Sequence, residues 1–238
     1  MKAVVLAAGR GSRLQPHTDS IPKGLLPLGE TTLAHRTVSL LRAHGVSDIS
    51  FVVGYRREDY HAAFPSGVRF YDNPAWESTD QAGSLLAARA EFADDLLVVT
   101  GDLFCPEQVY ADMLSLQAPV AVAVDRSPRP FDDTIEKVLF RDGRIERIGK
   151  LNVPDAQANG EFMGMTFVRR AAAADTLRRL EVAISVNPRK AALIHAHQAL
   201  LDEGGTLSFV ECRGPWCEVD DEPSLEKARR ILASAGAR

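Results

Sequence analysis

The chain opens on a short apolar run, Lys2–Ala8, that breaks at once into the glycine-rich turn of "LAAGRGSRL". A run of that length, apolar on both faces and ended by Gly9, reads as a strand buried within a sheet. The segment "TTLAHRTVSLLRAHG" then reads as a helix. Thr31 or Thr32 can cap it, Leu33, Thr37, Leu40 and Leu41 share one face, and Gly45 stops it. The alternation continues with a strand in "DISFVVGY", a short helix near Glu58–Phe64 and a strand at Val68–Tyr71. A helix over Gly83–Glu91, a strand in "DDLLVVTGD" and a helix over Pro106–Leu116 follow. Strands that alternate with helices need crossovers, so the pattern predicts an α/β fold of three layers, with a mostly parallel central sheet and helices on both faces.

After Pro119 the pattern changes. "VAVAVD", "IEKVLF", "RIERIG" and "EFMGMTFV" are strand-like runs, and Asp142-Gly143 between the second and third marks a hairpin. Helices are predicted at Ala171–Leu180 and Arg189–Asp202, a strand at Thr206–Cys212, and a last helix from Pro223 with Leu225, Ala228 and Leu232 on one face. No repeat or linker divides the chain. It reads as one domain over 1–238, with a β-rich excursion in its second half.

With 238 residues, 45% hydrophobic and 25% charged, the chain can bury a sizeable core. A net charge of −4 excludes a global basic field for nucleic acid or anionic membrane, so any phosphate binding must be local. No stretch approaches the roughly 20 apolar residues of a membrane span. The N-terminal apolar run is too short for a secretory signal and ends in arginines. Cys105, Cys212 and Cys217 form no C-x-x-C pair and leave an odd thiol, which suits a cytoplasmic protein.

The opening turn lacks the third glycine of a dinucleotide fingerprint, since Leu14 stands there, and lacks the Gly-Lys-Ser/Thr of a Walker A loop. A plain structural turn is the simplest alternative. Its company argues for a polyphosphate site. Gly9 and Gly11 admit close approach of backbone N–H groups, Arg13 adds a planar fork, and Lys23 adds a mobile charge between Pro22 and Gly24.

"LAAGRGSRL", then Pro16, Thr18 and "PKGLLPLG", closely resemble the signature of nucleotidyltransferases that join a nucleoside monophosphate to a phosphorylated acceptor. The resemblance runs over 3–36, 73–104 and 216–228 and is thin over 105–215. It implies a Rossmann-like nucleotidyltransferase fold, with a nucleotide-binding half over 1–118 and an acceptor-binding half over 119–238. It also implies a glycine loop (Gly9, Gly11, Ser12) around the triphosphate, with Arg13 and Lys23 neutralising the triphosphate and the reacting phosphorus. The backbone of Leu6 and Ala8, with Asp80 and Ser84, would frame base and ribose.

An aspartate that closes a buried strand, as Asp102 does in "VVTGDLF", serves a turn as readily as a metal. The acidic run in "WCEVDDEPSLEKA" is equally readable as a helix N-terminus. The resemblance assigns Asp102 and Asp220, with Glu218 as second choice, to Mg²⁺. Sugar-nucleotide synthases usually end in Trp-x-Asp-x-Gly-Thr, whereas Trp216-Cys217-Glu218-Val219-Asp220-Asp221 looks like the cytidylyltransferase branch acting on phosphocholine and small phosphonates. Thr79-Asp80-Gln81, before Ser84-Leu85, stands where that branch has Thr-Asn-Asn. The acceptor side falls on Lys150, Glu161 and Arg129. The six histidines show no metal-ligand pattern.

The expected activity is CMP transfer from CTP to a small phosphonate or phosphate monoester, such as phosphonoformate or 2-aminoethylphosphonate. Arg126 and Arg129 in "DRSPRPFDD", with Lys150, favour a doubly anionic phosphonocarboxylate. Phosphocholine, which would need a cage drawn from Trp76, Tyr71, Phe131 or Trp216, is the alternative. A sugar-1-phosphate nucleotidyltransferase and a non-catalytic nucleotide sensor are the others. A homodimer is left open, and neither nucleic acid nor membrane is expected as partner.

Overall fold

The structure, a computed structural model, describes residues 1–127 and 129–236. In the first half β1 (Lys2–Ala7), β2 (Pro27–Leu28), β3 (Thr31–Thr32), α1 (Leu33–Ala43), β4 (Asp48–Val53), α2 (Arg57–Ala63) and β5 (Arg69–Asp72) follow one another. Then come α3 (Gln81–Ala87), β6 (Leu96–Thr100), β7 (Leu103–Phe104) and α4 (Glu107–Ser115). The second half holds β8 (Val120–Asp125), β9 (Lys137–Arg141), β10 (Arg144–Ile148), β11 (Gly160–Val168), α5 (Ala173–Val186) and α6 (Leu193–Asp202). It ends with β12 (Ser208–Glu211), β13 (Cys217–Glu218) and α7 (Glu222–Gly236).

The expected parallel sheet is present as β5-β4-β1-β6. β11 joins it to the β-rich excursion, running antiparallel to β6, β8 and β9. Strand parity sorts the core. Ala3, Val5 and Ala7 of β1 face a layer with α1, α2 and α4, where Val38, Tyr60 and Tyr110 are buried. Val4 and Leu6 face the opposite layer, with Leu85 of α3, Leu180 of α5 and Ile194 of α6. Both faces of the sheet are thus covered, which is why its strands read as continuous apolar runs. A third cluster packs α7 onto Leu14, Leu26, Leu28 and Leu33, tying the end of the chain to its opening segment.

The hairpin at Asp142-Gly143 is observed, with φ of 50° and 75°, the two left-handed residues of a type I′ turn. Three helices differ from expectation. Asp80 accepts the Gln81 N–H at 2.7 Å and so starts α3 at Gln81, before Gly83. That helix ends at Ala87 and tightens into a 3-10 turn over Arg89–Ala93, which buries Glu91 against Ser50, Arg69 and Tyr71. α5 extends past Leu180 to Val186. α6 begins at Leu193 and not at Arg189, because the carbonyls of Pro188 and Ala191 accept the N–H groups of Asp80 and Ala82 and hold that segment open.

Candidate active site

The glycine turn leaves β1 at the carboxyl end of the parallel strands, where open α/β sheets bind ligands. Gly11 has φ of +70°, and a Cβ there would press on Lys23 at 3.1 Å, so only glycine fits without displacing that lysine. Leu14 and Gln15 close a 3-10 turn onto Gly11 and Ser12. Among the described residues, the backbone N–H groups of Gly9, Arg10, Gly11, Ser12 and Arg13 donate to no acceptor. Consecutive free N–H groups of this kind form an anion-binding concavity. Its outer wall is fixed by Thr18, whose hydroxyl donates to Gly11 O at 3.0 Å, and by Tyr55, which donates to Thr18 O at 2.7 Å.

Beside this loop four charged side chains converge. Lys23 Nζ lies 2.7 Å from Asp102 Oδ2 and 2.8 Å from Asp220 Oδ1, and Arg13 Nη2 lies 2.6 Å from Asp220 Oδ2. Lys23 is largely buried, whereas the Arg13 side chain is 68% exposed. Burial works to discharge Lys23, but Asp102 and Asp220 outweigh it and raise its pKa above the ordinary lysine value. Burial likewise pushes Asp102 up, and Lys23 reverses this, holding the carboxyl below its usual range.

Two short strands make the convergence possible. β7 and β13 pair antiparallel, with Glu218 opposite Leu103 and Val219 N–H donating to Asp102 O at 2.9 Å. The next turn is fixed by a reciprocal cap. Asp221 Oδ1 accepts the Ser224 N–H at 2.9 Å, while Ser224 Oγ accepts the N–H groups of Asp220 and Asp221. Asp221 is therefore the helix cap and Asp220 the residue turned to Lys23. Glu218 stands close by, and burial followed by the charges of Asp102, Glu136 and Asp220 raises it well above the carboxylate range.

A cavity of about 210 Å³ adjoins the loop, lined by Leu6, Ala8, Gly9, Gly11, Lys23, Asp80, Ser84 and Asp102 among others. Thr100, to which the sequence gives no role, also lines it, as do Gln81 and Trp76, the latter expected at an acceptor cage and found here on the nucleotide side. Nor does the sequence single out Asn73, whose buried amide donates to Thr79 Oγ1 and Ser84 Oγ at 3.0 Å each and shapes the turn before α3. A buried asparagine bracketed by Asp72 and Pro74 is a turn signal, and that was its only visible mark. Ser12 lies on the loop but outside this lining.

A second cavity, of about 650 Å³, shares Asp80 and Gln81 with the first and extends to Glu136, Lys150, Lys190 and Asp202. Lys150 lines it, 3.9 Å from Glu136. Arg129 and Glu161 line neither cavity. They pair at 2.6 Å, and Arg129 also contacts Asp125, which accepts the Trp216 indole N–H at 2.6 Å. Burial and Asp125 raise Glu161 to about 7 against the pull of Arg129. Arg126 is set over the Phe140 ring and 3.8 Å from Glu211. The basic loop expected to meet an anionic acceptor thus spends its arginines on the chain's own carboxylates.

Among the described residues, no three His, Cys, Asp or Glu side chains converge as a ready-made metal centre, and no helix is long and apolar enough to cross a membrane. One atom nevertheless asks for a cation. Among the described residues Asp102 Oδ1, which is buried, has no hydrogen-bond partner.

Known proteins resemble this chain in sequence and in fold. A choline-phosphate cytidylyltransferase of Streptococcus pneumoniae is 32% identical over 99 residues, spanning 41% of this chain and 43% of that protein. A CTP:phosphoglutamine cytidylyltransferase of Campylobacter jejuni is 23% identical over 95% of this chain and 98% of its own length. A CMP-5′-(3-aminopropyl)phosphonate synthase of Streptomyces rubellomurinus is 33% identical over 57% of this chain, which is 22% of that protein. The solved CTP:phosphocholine cytidylyltransferase from Streptococcus pneumoniae superposes with a TM-score of 0.78 at 21% identity, covering 97% of this chain and 98% of its own. The inositol-1-phosphate CTP transferase from T. maritima does so with 0.77 at 22%, covering 97% and 95%. The shared fold is that of α/β nucleotidyltransferases. The model of the MobA-like NTP transferase domain matches residues 3–172, most of the chain, and the chain belongs to that family.

Proposed function

We propose that the chain transfers CMP from CTP to the phosphate or phosphonate oxygen of a small acceptor. The acceptor oxygen forms a bond to the α-phosphorus, the bond between that phosphorus and the α–β bridging oxygen breaks, and pyrophosphate leaves with the electron pair. The observation that carries this reading is the cluster Arg13–Asp220–Lys23–Asp102 set against a loop of five free N–H groups. A phosphate or phosphonate is already largely anionic at neutral pH, so the site needs charge neutralisation and alignment more than a strong base.

On this reading the free N–H groups of Gly9–Arg13 receive the triphosphate, and Lys23 and Arg13 balance charge at the reacting phosphorus. Residues 1–118 form the nucleotide half and 119–238 the acceptor half, except that β13 returns Glu218 and Asp220 to the nucleotide side. Asp80 serves base choice. Its Oδ1 is committed to the Gln81 N–H, and among the described residues Oδ2 has no hydrogen-bond partner, so it can accept from the amino group of cytosine. Uracil would set a carbonyl against it. The names of the relatives point to the same nucleotide.

Mg²⁺ suits the residues present. It takes one or two carboxylates together with phosphate oxygens and water, and Asp102 offers an unpartnered oxygen next to Asp220 and Glu218. Asp102 and Asp220 would hold it, with Glu218 beside them, and the ion would supply Lewis-acid stabilisation of the phosphates. Three free, buried thiols fit a reducing cytoplasm.

The test is pyrophosphate release across a grid of CTP, UTP, GTP and dTTP with phosphonate, phosphocholine and sugar-1-phosphate acceptors. Turnover with CTP and a small phosphonate or phosphomonoester is expected. Turnover confined to another triphosphate with a sugar-1-phosphate refutes the reading.

A further inference from the structure

We infer that the acceptor carries a primary ammonium group and that Glu136, in the 650 Å³ cavity, receives it. The inference rests on the cytidylyltransferase reading and names the acceptor class of that same site.

Glu136 stands at the entry to β9, its backbone carbonyl fixed by the Phe162 N–H at 2.8 Å. It is 9% exposed, and it lines the cavity. Among the described residues its carboxylate takes part in no hydrogen bond. Its nearest cation is Lys150 Nζ at 3.9 Å, beyond hydrogen-bond reach. A buried carboxylate left without hydrogen bonds costs several kcal/mol in general unless it is paired or takes up a proton. Burial, with the negative charges of Asp80, Asp102 and Glu161, also lifts Glu136 to about 7 against the pull of Lys150, so its charge depends on what enters the cavity.

The rest of the lining says which cation. Asp133 and Asp202 add negative charge, against Lys150 and Lys190. Lys150, half-exposed at the cavity wall, is the group available for the acceptor's phosphate or phosphonate, since Arg126 and Arg129 are engaged elsewhere. An anion site and a cation site side by side fit a short zwitterion, with phosphorus at one end and ammonium at the other.

A quaternary ammonium has no N–H donors and is held by aromatic faces. Among the described residues no Phe, Tyr or Trp lines this cavity, and the single imidazole there, His195, makes no cage of aromatic faces. Trp76 lines the other cavity, Trp216 donates to Asp125, and Tyr71 donates to Glu91. A primary ammonium presents three donors, and a charge-assisted bond to Glu136 is what the cavity offers. A second carboxylate on the acceptor would face Glu136 and be repelled.

The experiment gives the full chain CTP and Mg²⁺ with equal 2-aminoethylphosphonate, ethylphosphonate, phosphocholine and phosphonoformate, and identifies the CMP adducts by mass. At least tenfold higher kcat/KM for 2-aminoethylphosphonate than for ethylphosphonate is expected. In Glu136→Gln that ratio should fall at least tenfold. Preference for phosphocholine or phosphonoformate, equal use of ethylphosphonate, or an undiminished ratio in Glu136→Gln overturns the inference while CMP transfer itself stands. No CMP transfer to any of the four overturns the cytidylyltransferase reading with it. The wild-type comparison alone decides the case if Glu136→Gln does not fold.

Discussion

Lys23 and Arg13 are both cations at one carboxylate, yet they differ in setting. Lys23 is enclosed between Asp102 and Asp220, and Arg13 reaches Asp220 from a largely exposed position. An enclosed charge acts in a lower local dielectric, so Lys23→Ala is expected to lower kcat/KM by about 10² or more and Arg13→Ala by less. Near-normal turnover in a folded Lys23→Ala variant would remove the lysine from the mechanism. The same variant leaves two carboxylates facing each other without their cation. Added Mg²⁺ should therefore raise its Tm more than that of wild type, read by thermal denaturation. Asp102→Asn exchanges an unpartnered anionic oxygen for a neutral amide, and loss of Mg²⁺-dependent turnover with an intact fold is expected. Part of this cluster was legible in the sequence, because glycine, arginine and lysine together at a strand end suit a phosphate, whereas Asp102 and Asp220 were legible only through the family resemblance. Glu136 was not legible. A single glutamate before a strand is ordinary until the fold encloses it, and only the loss of solvent around it makes it chemically distinct.

The long elements followed from periodicity, since apolar positions on β1, α1 and α7 repeat with the spacing their structures require. The misplaced start of α6 was set by hydrogen bonds to a segment about 110 residues away, and the end of α3 by Glu91 reaching Ser50, Arg69 and Tyr71, none of which a local window contains. β7 and β13 escaped because two residues carry no periodicity at all, although their pairing is what delivers Asp220 to Lys23. The start of α7 completes that delivery. Ser224 Oγ holds the N–H groups of both Asp220 and Asp221, and the Ser224 N–H is held by Asp221. Ser224→Ala removes the side-chain half of this cap. Helix caps are worth about 1 kcal/mol, so a small fall in Tm is expected, together with a measurable rise in KM for CTP because Asp220 loses its backbone tether. Asp221→Ala, which breaks the other half, should lower Tm similarly and disturb KM less. A larger KM effect in Asp221→Ala than in Ser224→Ala would show that the cap does not position Asp220.

Across the whole molecule the site gathers residues from both ends of the chain, with 207 positions separating Arg13 from Asp220. Such assembly encloses carboxyls, and Glu136, with Lys150 no nearer than 3.9 Å, shows the consequence for stability. Its pKa rises from 4.5 to about 7 on folding, chiefly through burial. The folded protein therefore binds this proton more tightly than the unfolded chain. The favourable contribution is fully present below about 4.5, declines as pH rises, and is gone above about 7. The span amounts to about 3 kcal/mol as an upper figure. His197, buried and lowered to about 3, acts in the opposite sense, making the fold lose stability as pH falls below 6.5. Wild type and Glu136→Gln share His197, so their difference isolates the glutamate. Glu136→Gln should unfold at higher temperature or denaturant than wild type at pH 8, and the gap should close by pH 5. Saturating 2-aminoethylphosphonate, which pairs with the ionised carboxylate, should stabilise wild type at pH 8 and Glu136→Gln far less. A variant no more stable than wild type at pH 8 would mean that the carboxylate already has a partner in the free protein, and that the acceptor cavity was not built at the expense of the fold.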